Sequence, residues 1–262
     1  MLKKVLFLVI AAGLTIIATF IQQIFSSDSP DKHYVTIHSA EYQFKLPVVN
    51  EGDELCQIEL NIPDSSVTGT LHYKLLKGSD EWKTTRFIRM HEDMLIGILP
   101  HQKPNIKLEY YITLNSEKAE FPVAKSSPVV VRFQSTVPKF VLFPQVIIMF
   151  IALILCCFTG ILSVFKIESY KKYANITFYL FVLGAFILGF VIHIISFRHI
   201  LVQISPHNDL SFYKNIIITL LWLGLFYINK RTSIQYFTII ISVVTLILFC
   251  MPTHILFGWI HY

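Results

Sequence analysis

The apolar positions of the chain follow two patterns. From residue 5 to 25 the segment VLFLVIAAGLTIIATFIQQIF carries no charge and follows Lys3 and Lys4. About 20 consecutive apolar residues cross the roughly 30 Å hydrocarbon core of a bilayer as a helix, which predicts a first membrane span. Four further runs predict spans over about 140–164, 174–197, 215–229 and 233–252. The run 215–229 is short by that measure and is expected to borrow Phe212 and Tyr213, with Lys214 and Arg231 snorkelling to the interface. A basic start also suits a signal peptide, but such an apolar region is shorter, about 7 to 15 residues, and precedes a small-residue cleavage site. No persuasive site of that kind follows here, so a retained anchor is expected and a cleaved signal is the alternative.

Between Asp28 and Thr136 the long runs give way to short alternating ones. YVTIH (34–38), YQFKL (42–46), LCQIELN (55–61), TLHYKLLK (70–77), KTTRFIR (83–89), DMLIGIL (93–99), KLEYYITLN (107–115) and VVVRF (129–133) each predict a strand. Glu51-Gly52-Asp53, Pro63-Asp64-Ser65, Lys77-Gly78-Ser79-Asp80 and the segment from Pro100 to Pro104 punctuate them as turns. Seven or eight short strands in about 100 residues suit an all-β sandwich of immunoglobulin or fibronectin type III type, with a barrel as the alternative. The expected domains are therefore an anchor over 1–27, a β domain over 28–136 and a four-helix membrane domain over 137–262. Short linkers at both ends tether the β domain.

Within the β domain, LPHQKPNIKLEYYITLN resembles the stretch of fibronectin type III-like domains in which a proline-rich turn feeds the penultimate strand and a tyrosine begins it. That resemblance implies that Tyr110 or Tyr111 is a corner tyrosine tying a loop to the sheet. Trp82, between Glu81 and Lys83 after a turn, is expected to cap an edge or mark a contact surface, or simply to pack half-buried. Such a fold implies no reaction.

Composition sharpens the division. Hydrophobic residues make up 54% of the 262 and charged residues only 15%, where a soluble domain carries about a quarter. The formal charge of +5 is unevenly spread: residues 28–136 hold 12 Lys and Arg against 15 Asp and Glu, and the rest hold 10 against 2. The basicity borders the apolar runs, where anionic headgroups attract it, and no basic patch with interleaved aromatics is left for nucleic acid. With the N-terminus inside, the inner segments hold Lys3, Lys4, Lys166, Lys171, Lys172, Lys230 and Arg231, and the outer borders hold Lys139, Arg198 and Lys214. Seven against three obeys the positive-inside rule and predicts about five spans, N-in and C-out, with Trp259 and Tyr262 in an outer tail.

Candidate chemistry is sparse. No Walker loop, G-x-G-x-x-G, H-E-x-x-H, C-x-x-C or G-x-S-x-G occurs. Cys56 is the only cysteine of the β domain, so that domain has no internal disulfide, and Cys156, Cys157 and Cys250 lie in apolar runs as small buried hydrophobes. Neighbouring residues of a helix face different ways, so Cys156-Cys157 does not act as a C-x-x-C. The less ordinary feature is histidine placement. His193, His199, His207, His254 and His261 gather near the outer ends of the third and fifth spans, together with Asp209. Imidazoles there could ligate a transition metal or haem iron or relay protons, and His193, within an apolar span, should face the bundle or a cavity. The other reading of all of them is interfacial and structural. Mid-membrane charges and broken helices, which a transporter needs, are nearly absent.

The order of features also carries a resemblance. IPDSSVTGTLHYK and LEYYI, then V-P-x-x-V-L-F-P running into a span, then GAFILGF and an outer loop with SPHNDL resemble a group of inner-membrane proteins of Bacteroidota and related bacteria with a fibronectin type III/immunoglobulin-like periplasmic domain. SPHNDLS is shorter and less glycine-rich than the corresponding family loop. The resemblance implies an architecture and a compartment, the bacterial inner membrane with the β domain in the periplasm, and no activity. The expected role is a non-enzymatic interaction or assembly module that has the lipid bilayer and other envelope proteins as partners and needs no cofactor. The alternative is a metal- or haem-handling protein using His193, His199, His207 and His254.

Overall fold

The computed structural model describes residues 2–24, 30–38, 40–76, 81–91, 93–116, 119–198, 211–232 and 234–251. They form two compact units, one assembled from the helices and the other chiefly from Asp28–Thr136.

The helical unit contains α1 (Leu2–Ile24), α2 (Lys139–Val164), α3 (Tyr170–Phe181), a π-helix (Val182–Leu188), α4 (Gly189–Phe197), α5 (Ser211–Arg231) and α6 (Gln235–Cys250). Among the described residues, four helices are long and apolar enough to cross a membrane: α1, α2, the composite Tyr170–Phe197, and α5. The last of these includes Phe212 and Tyr213 in its first turn. With 16 residues, α6 is shorter, about 24 Å at 1.5 Å per residue. The outward side chains are apolar, for example Ile17 and Phe20 on α1, Phe143 and Ile147 on α2, and Val243 and Ile247 on α6. Many of the unit's small and hydroxyl residues are buried, such as Ala11, Thr15, Ala152, Thr159, Ser163, Ser242 and Thr245, beside large ones such as Phe181 and Trp222. This inversion of the soluble pattern suits a surface that meets lipid.

Helix contacts are made where side chains are small. A methyl group at Gly160 of α2 would come within 3.0 Å of Ser242 Cβ on α6, and one at Gly184 within 2.8 Å of Ile148 Cγ2 on α2. Gly184 and Ala185 are both buried, so the small residues of the third segment serve packing within the chain. The two adjacent cysteines point to different neighbours: Cys156 Sγ lies 3.7 Å from the Ser242 carbonyl and Cys157 Sγ 3.6 Å from Thr15 Oγ1 on α1.

The helix ends are brought into order by specific contacts. Phe7 and Phe165 stack with ring centroids 4.6 Å apart, which places the start of α1 beside the end of α2. Lys171 Nζ donates to the Thr232 carbonyl at 3.3 Å, which joins the start of α3 to the residue following α5. All seven basic residues from Lys3 to Arg231 assigned above to the inner side therefore lie at one end of the unit. Lys214 departs from expectation. It does not snorkel: it is 4% exposed, donates to the Phe249 and Met251 carbonyls at 3.3 and 3.5 Å, and sits over the Phe249 ring. Those carbonyls belong to the last turn of α6 and the residue after it, where an α-helix leaves acceptors unpaired and carries partial negative charge, so the ammonium is compensated without reaching water.

Among the described residues, the second unit has eleven strands: β1 (Asp31–Ile37), β2 (Ala40–Leu46), β3 (Val49–Glu51), β4 (Cys56–Asn61), β5 (Thr68–Leu75), β6 (Lys83–Arg86), β7 (Ile88–His91), β8 (Met94–Leu99), β9 (Lys107–Ser116), β10 (Ala119–Val123) and β11 (Val129–Gln134). One sheet runs β3-β11-β9-β5-β6, with β10 also on β9, a second runs β4-β8-β7, and β1 and β2 form a hairpin. All pairs are antiparallel except β3 with β11. Alternate residues of both sheets point into one core, including Ile58 and Leu60 of β4, Leu95 and Leu99 of β8, Ile112 and Leu114 of β9, and Val131 and Phe133 of β11. Cys56 belongs to this core, and burial pushes its thiol up to about 11, which leaves it chemically quiet.

The segment KTTRFIR, predicted as one strand, is broken at Phe87. The preceding β6 pairs with β5 in one sheet and the following β7 pairs with β8 in the other. Phe87 is the crossing point. Its backbone N–H donates to the Gly69 carbonyl at 2.8 Å, and its ring lies between Gly69 of β5 and Gly97 of β8. Two residues on, the Arg89 guanidinium donates to the carbonyls of Ile62, Asp64 and Val67 and so fixes the β4–β5 connection. Tyr110 is fully buried and its hydroxyl donates to the Pro47 carbonyl at 2.9 Å, tying the β2–β3 connection to β9.

A methyl group at Gly97 would approach the Phe87 ring to 2.6 Å, and the ring is already backed by Gly69. Gly97→Ala is expected to destabilise this unit by about 1–3 kcal/mol, the usual cost of overpacking a core. Denaturant unfolding followed by near-ultraviolet circular dichroism measures it, and an unchanged midpoint would refute the wedge.

Candidate functional site

Two outward sheet faces carry the features that differ from an ordinary solvated surface. On the face of β5 and β9, His72 and Tyr111 are cross-strand partners whose rings stack at 4.4 Å and 4°. Trp82, just before β6, packs edge-on against Tyr111 at 4.7 Å, and Lys74 Nζ lies 4.9 Å from the Trp82 ring centre. Lys74 also pairs with its cross-strand partner Glu109 at 3.3 Å. Trp82 therefore covers the border of this sheet and is outside the core. Tyr111 faces out where Tyr110 faces in, as strand alternation requires. Near Lys74 lies a shallow hollow of about 280 Å³ lined by Tyr73, Leu75, Lys83, Pro100, Gln102 and Leu108. It falls just below the range of about 300–1,000 Å³ usual for small-molecule sites.

The other face is that of β4-β8-β7. The central strand β8 buries Leu95, Gly97 and Leu99 and turns Met94, Ile96 and Ile98 outward. Ile96 pairs with Ile88 on β7, which is 60% exposed, and a bulge beside it sets out Met90 at 63%. On the other side, the outward residues of β4 opposite Ile98, Ile96 and Met94 are Gln57, Glu59 and Asn61. The result is an apolar patch of five aliphatic and thioether side chains with a polar row along one border. The bulge at Met90 blunts β7 as an edge strand, so the exposed feature is the face and not a free pairing edge. The sequence carries a signal for this patch. MLIGIL is apolar at every position, a pattern of strands covered on both faces, although the core covers only one.

His193 is buried on α4, with its ring stacked on Phe212 at 4.7 Å and edge-on to Tyr213 at 6.3 Å. It faces the bundle, as an imidazole in an apolar span should. His199, His207, His254 and His261, with Asp209, lie outside the described residues. Among the described residues, no three His, Cys, Asp or Glu side chains come together to hold a metal ion.

The chain matches no protein-family model, and the search of curated proteins also found no match.

Partial burial and the charge of Lys125, opposed by Glu120, hold His72 below the ordinary imidazole value of 6.5. A native pKa below the unfolded one means that the unfolded chain binds the proton first. The contribution of His72 is full above the unfolded value and is lost as pH falls through 6.5 towards the native pKa. His72→Gln should flatten that part of the stability profile between pH 7 and 5, measured by thermal unfolding. An unchanged slope would show that burial and Lys125 do not disfavour the imidazolium.

Proposed function

We infer that the protein is a membrane-anchored docking module of the bacterial inner membrane, whose β domain has an immunoglobulin-like sandwich fold and binds another envelope protein. The observation that carries this reading is the apolar face of Ile88, Met90, Met94, Ile96 and Ile98. Contiguous apolar surface on a soluble domain marks an interaction site, and a polar border such as Gln57, Glu59 and Asn61 is the usual rim of one. The membrane unit then serves to hold the domain at the bilayer.

The strand order supports the fold assignment. A sheet of β4-β8-β7 set against β11-β9-β5-β6 follows the two-sheet division of immunoglobulin-type domains, and β3 runs parallel on the far edge of the second sheet. The five-span, N-in and C-out topology draws support from the collection of Lys3, Lys4, Lys166, Lys171, Lys172, Lys230 and Arg231 at one end, which positive-inside bias assigns to the cytoplasm. The segment between α1 and α2 is then extracytoplasmic. The likeness to the Bacteroidota group points to the same compartment.

The docking face is tested with a photoreactive residue in place of Glu59, beside the patch, in the full chain expressed in cells. A discrete cross-linked species is expected, and adding Ile88→Glu with Met90→Glu should abolish it. These are surface positions, so stability should change by no more than about 0.5 kcal/mol each. Cross-linking that survives the double substitution would reject this face as the docking surface.

A further inference from the structure

A hydroxyl in a membrane helix is ordinarily satisfied by turning back onto the carbonyl one turn earlier, and the buried hydroxyls of Thr15, Ser163, Thr177, Thr219 and Thr245 do so at 2.7–3.0 Å. Thr159, Thr238 and Ser242 do not. Each is at most 3% exposed, and among the described residues the hydroxyls of Thr159 and Thr238 have no hydrogen-bonding partner, while that of Ser242 has the weakly bonding Cys156 thiol beside it. Asn229 goes further: it is 6% exposed, and among the described residues neither its amide nitrogen nor its amide oxygen is paired.

Asn229, Thr238 and Ser242 belong to one region. Trp222 Nε1 donates to Thr245 Oγ1 at 2.9 Å and sets the antiparallel register of α5 and α6. Two turns along each helix from that bond bring Asn229 level with Thr238. Thr238 and Ser242 are one turn apart on the same side of α6, and Ser242 lies against Gly160 on α2. The strip therefore runs from Asn229 past Thr238 to Ser242. Thr238 and Ser242 lie three and seven residues from the start of α6, about 5 and 11 Å into the unit, at the end that carries Lys171, Lys230 and Arg231.

The chemistry of the strip selects its occupant. It contains no charged side chain, so it offers nothing to balance an ion. Asn229 presents one acceptor and two N–H donors, and each hydroxyl can both give and accept, so the occupant must do both as well. Burying such groups unpaired costs about 1–3 kcal/mol apiece, whereas one internal water commonly makes two to four hydrogen bonds. We propose that Asn229, Thr238 and Ser242 line a hydrated recess that opens at the basic end of the helical unit and holds a short file of water molecules. It lies apart from the apolar sheet face, so loss of the docking reading would leave it standing.

The test is water-edited solid-state NMR of the full chain in proteoliposomes, with asparagine side-chain amides and tryptophan indole nitrogens labelled with ¹⁵N. The Asn229 resonance is assigned by its disappearance in Asn229→Leu. It is expected to gain magnetisation from water at mixing times that leave the Trp222 indole, already paired with Thr245, dark. Thr238→Val, which removes one wall hydroxyl with little change of volume, should slow that transfer, while an unmoved Trp222 resonance reports an intact fold. Transfer to Asn229 as slow as to Trp222, or transfer from lipid acyl chains alone, would overturn the proposal.

Discussion

Hydrocarbon offers no partner to a peptide or side-chain polar group, and the helical unit is organised around that constraint. Its backbone is helical through every apolar run, including the π-helical stretch Val182–Leu188, where the widened turn keeps the segment continuous from Tyr170 to Phe197. Most of its buried hydroxyls fold back on their own helices, and the Trp222 indole finds Thr245. Lys214 shows the same constraint acting on a charge. A lysine this close to the end of α5 would be expected at the interface, but two carbonyls at the end of α6 receive it instead. Asn229 and Thr238, level with each other on α5 and α6, have no such partner among the described residues, and it is their position together that points to a hydrated recess.

The β unit answers a different requirement, that two sheets share one core while the chain passes between them. Phe87 carries that passage, with glycines on both sides because no side chain fits beneath its ring. Arg89 and Tyr110 then use a guanidinium and a hydroxyl to hold connections whose backbone carbonyls have no strand partner. On the surface, β8 is apolar on the face that the core leaves uncovered.

Much of this was legible in the residues. Unbroken apolar runs marked the long helices, and period-two alternation marked eight strand regions close to their observed positions. Two short strands escaped: Val49–Glu51 has only three residues, and Ala119–Val123 contains Pro122, which demotes a strand reading. The break at Phe87 escaped because alternation continues through KTTRFIR, and only the pairing partners reveal that the sheet changes. The fate of Lys214 depends on the end of a helix about 35 residues away, and the isolation of Asn229 on which neighbours lack a free donor or acceptor. Neither is a property of local sequence. For the candidate site, MLIGIL carried the signal in its composition, but only the other faces of the two sheets show which half of it is left uncovered.

The reading of the chain as a membrane protein with its basic end inside and its β domain outside is tested most directly by sidedness. The described native cysteines Cys56, Cys156 and Cys157 are buried and Cys250 is largely so, leaving little background for labelling of an introduced thiol. Glu59→Cys on the exposed face of β4 and Lys230→Cys at the basic end provide the two reporters. In intact spheroplasts a membrane-impermeant maleimide should label position 59 at once and position 230 only after permeabilisation. Labelling of position 230 in sealed cells, with position 59 protected, would contradict the account.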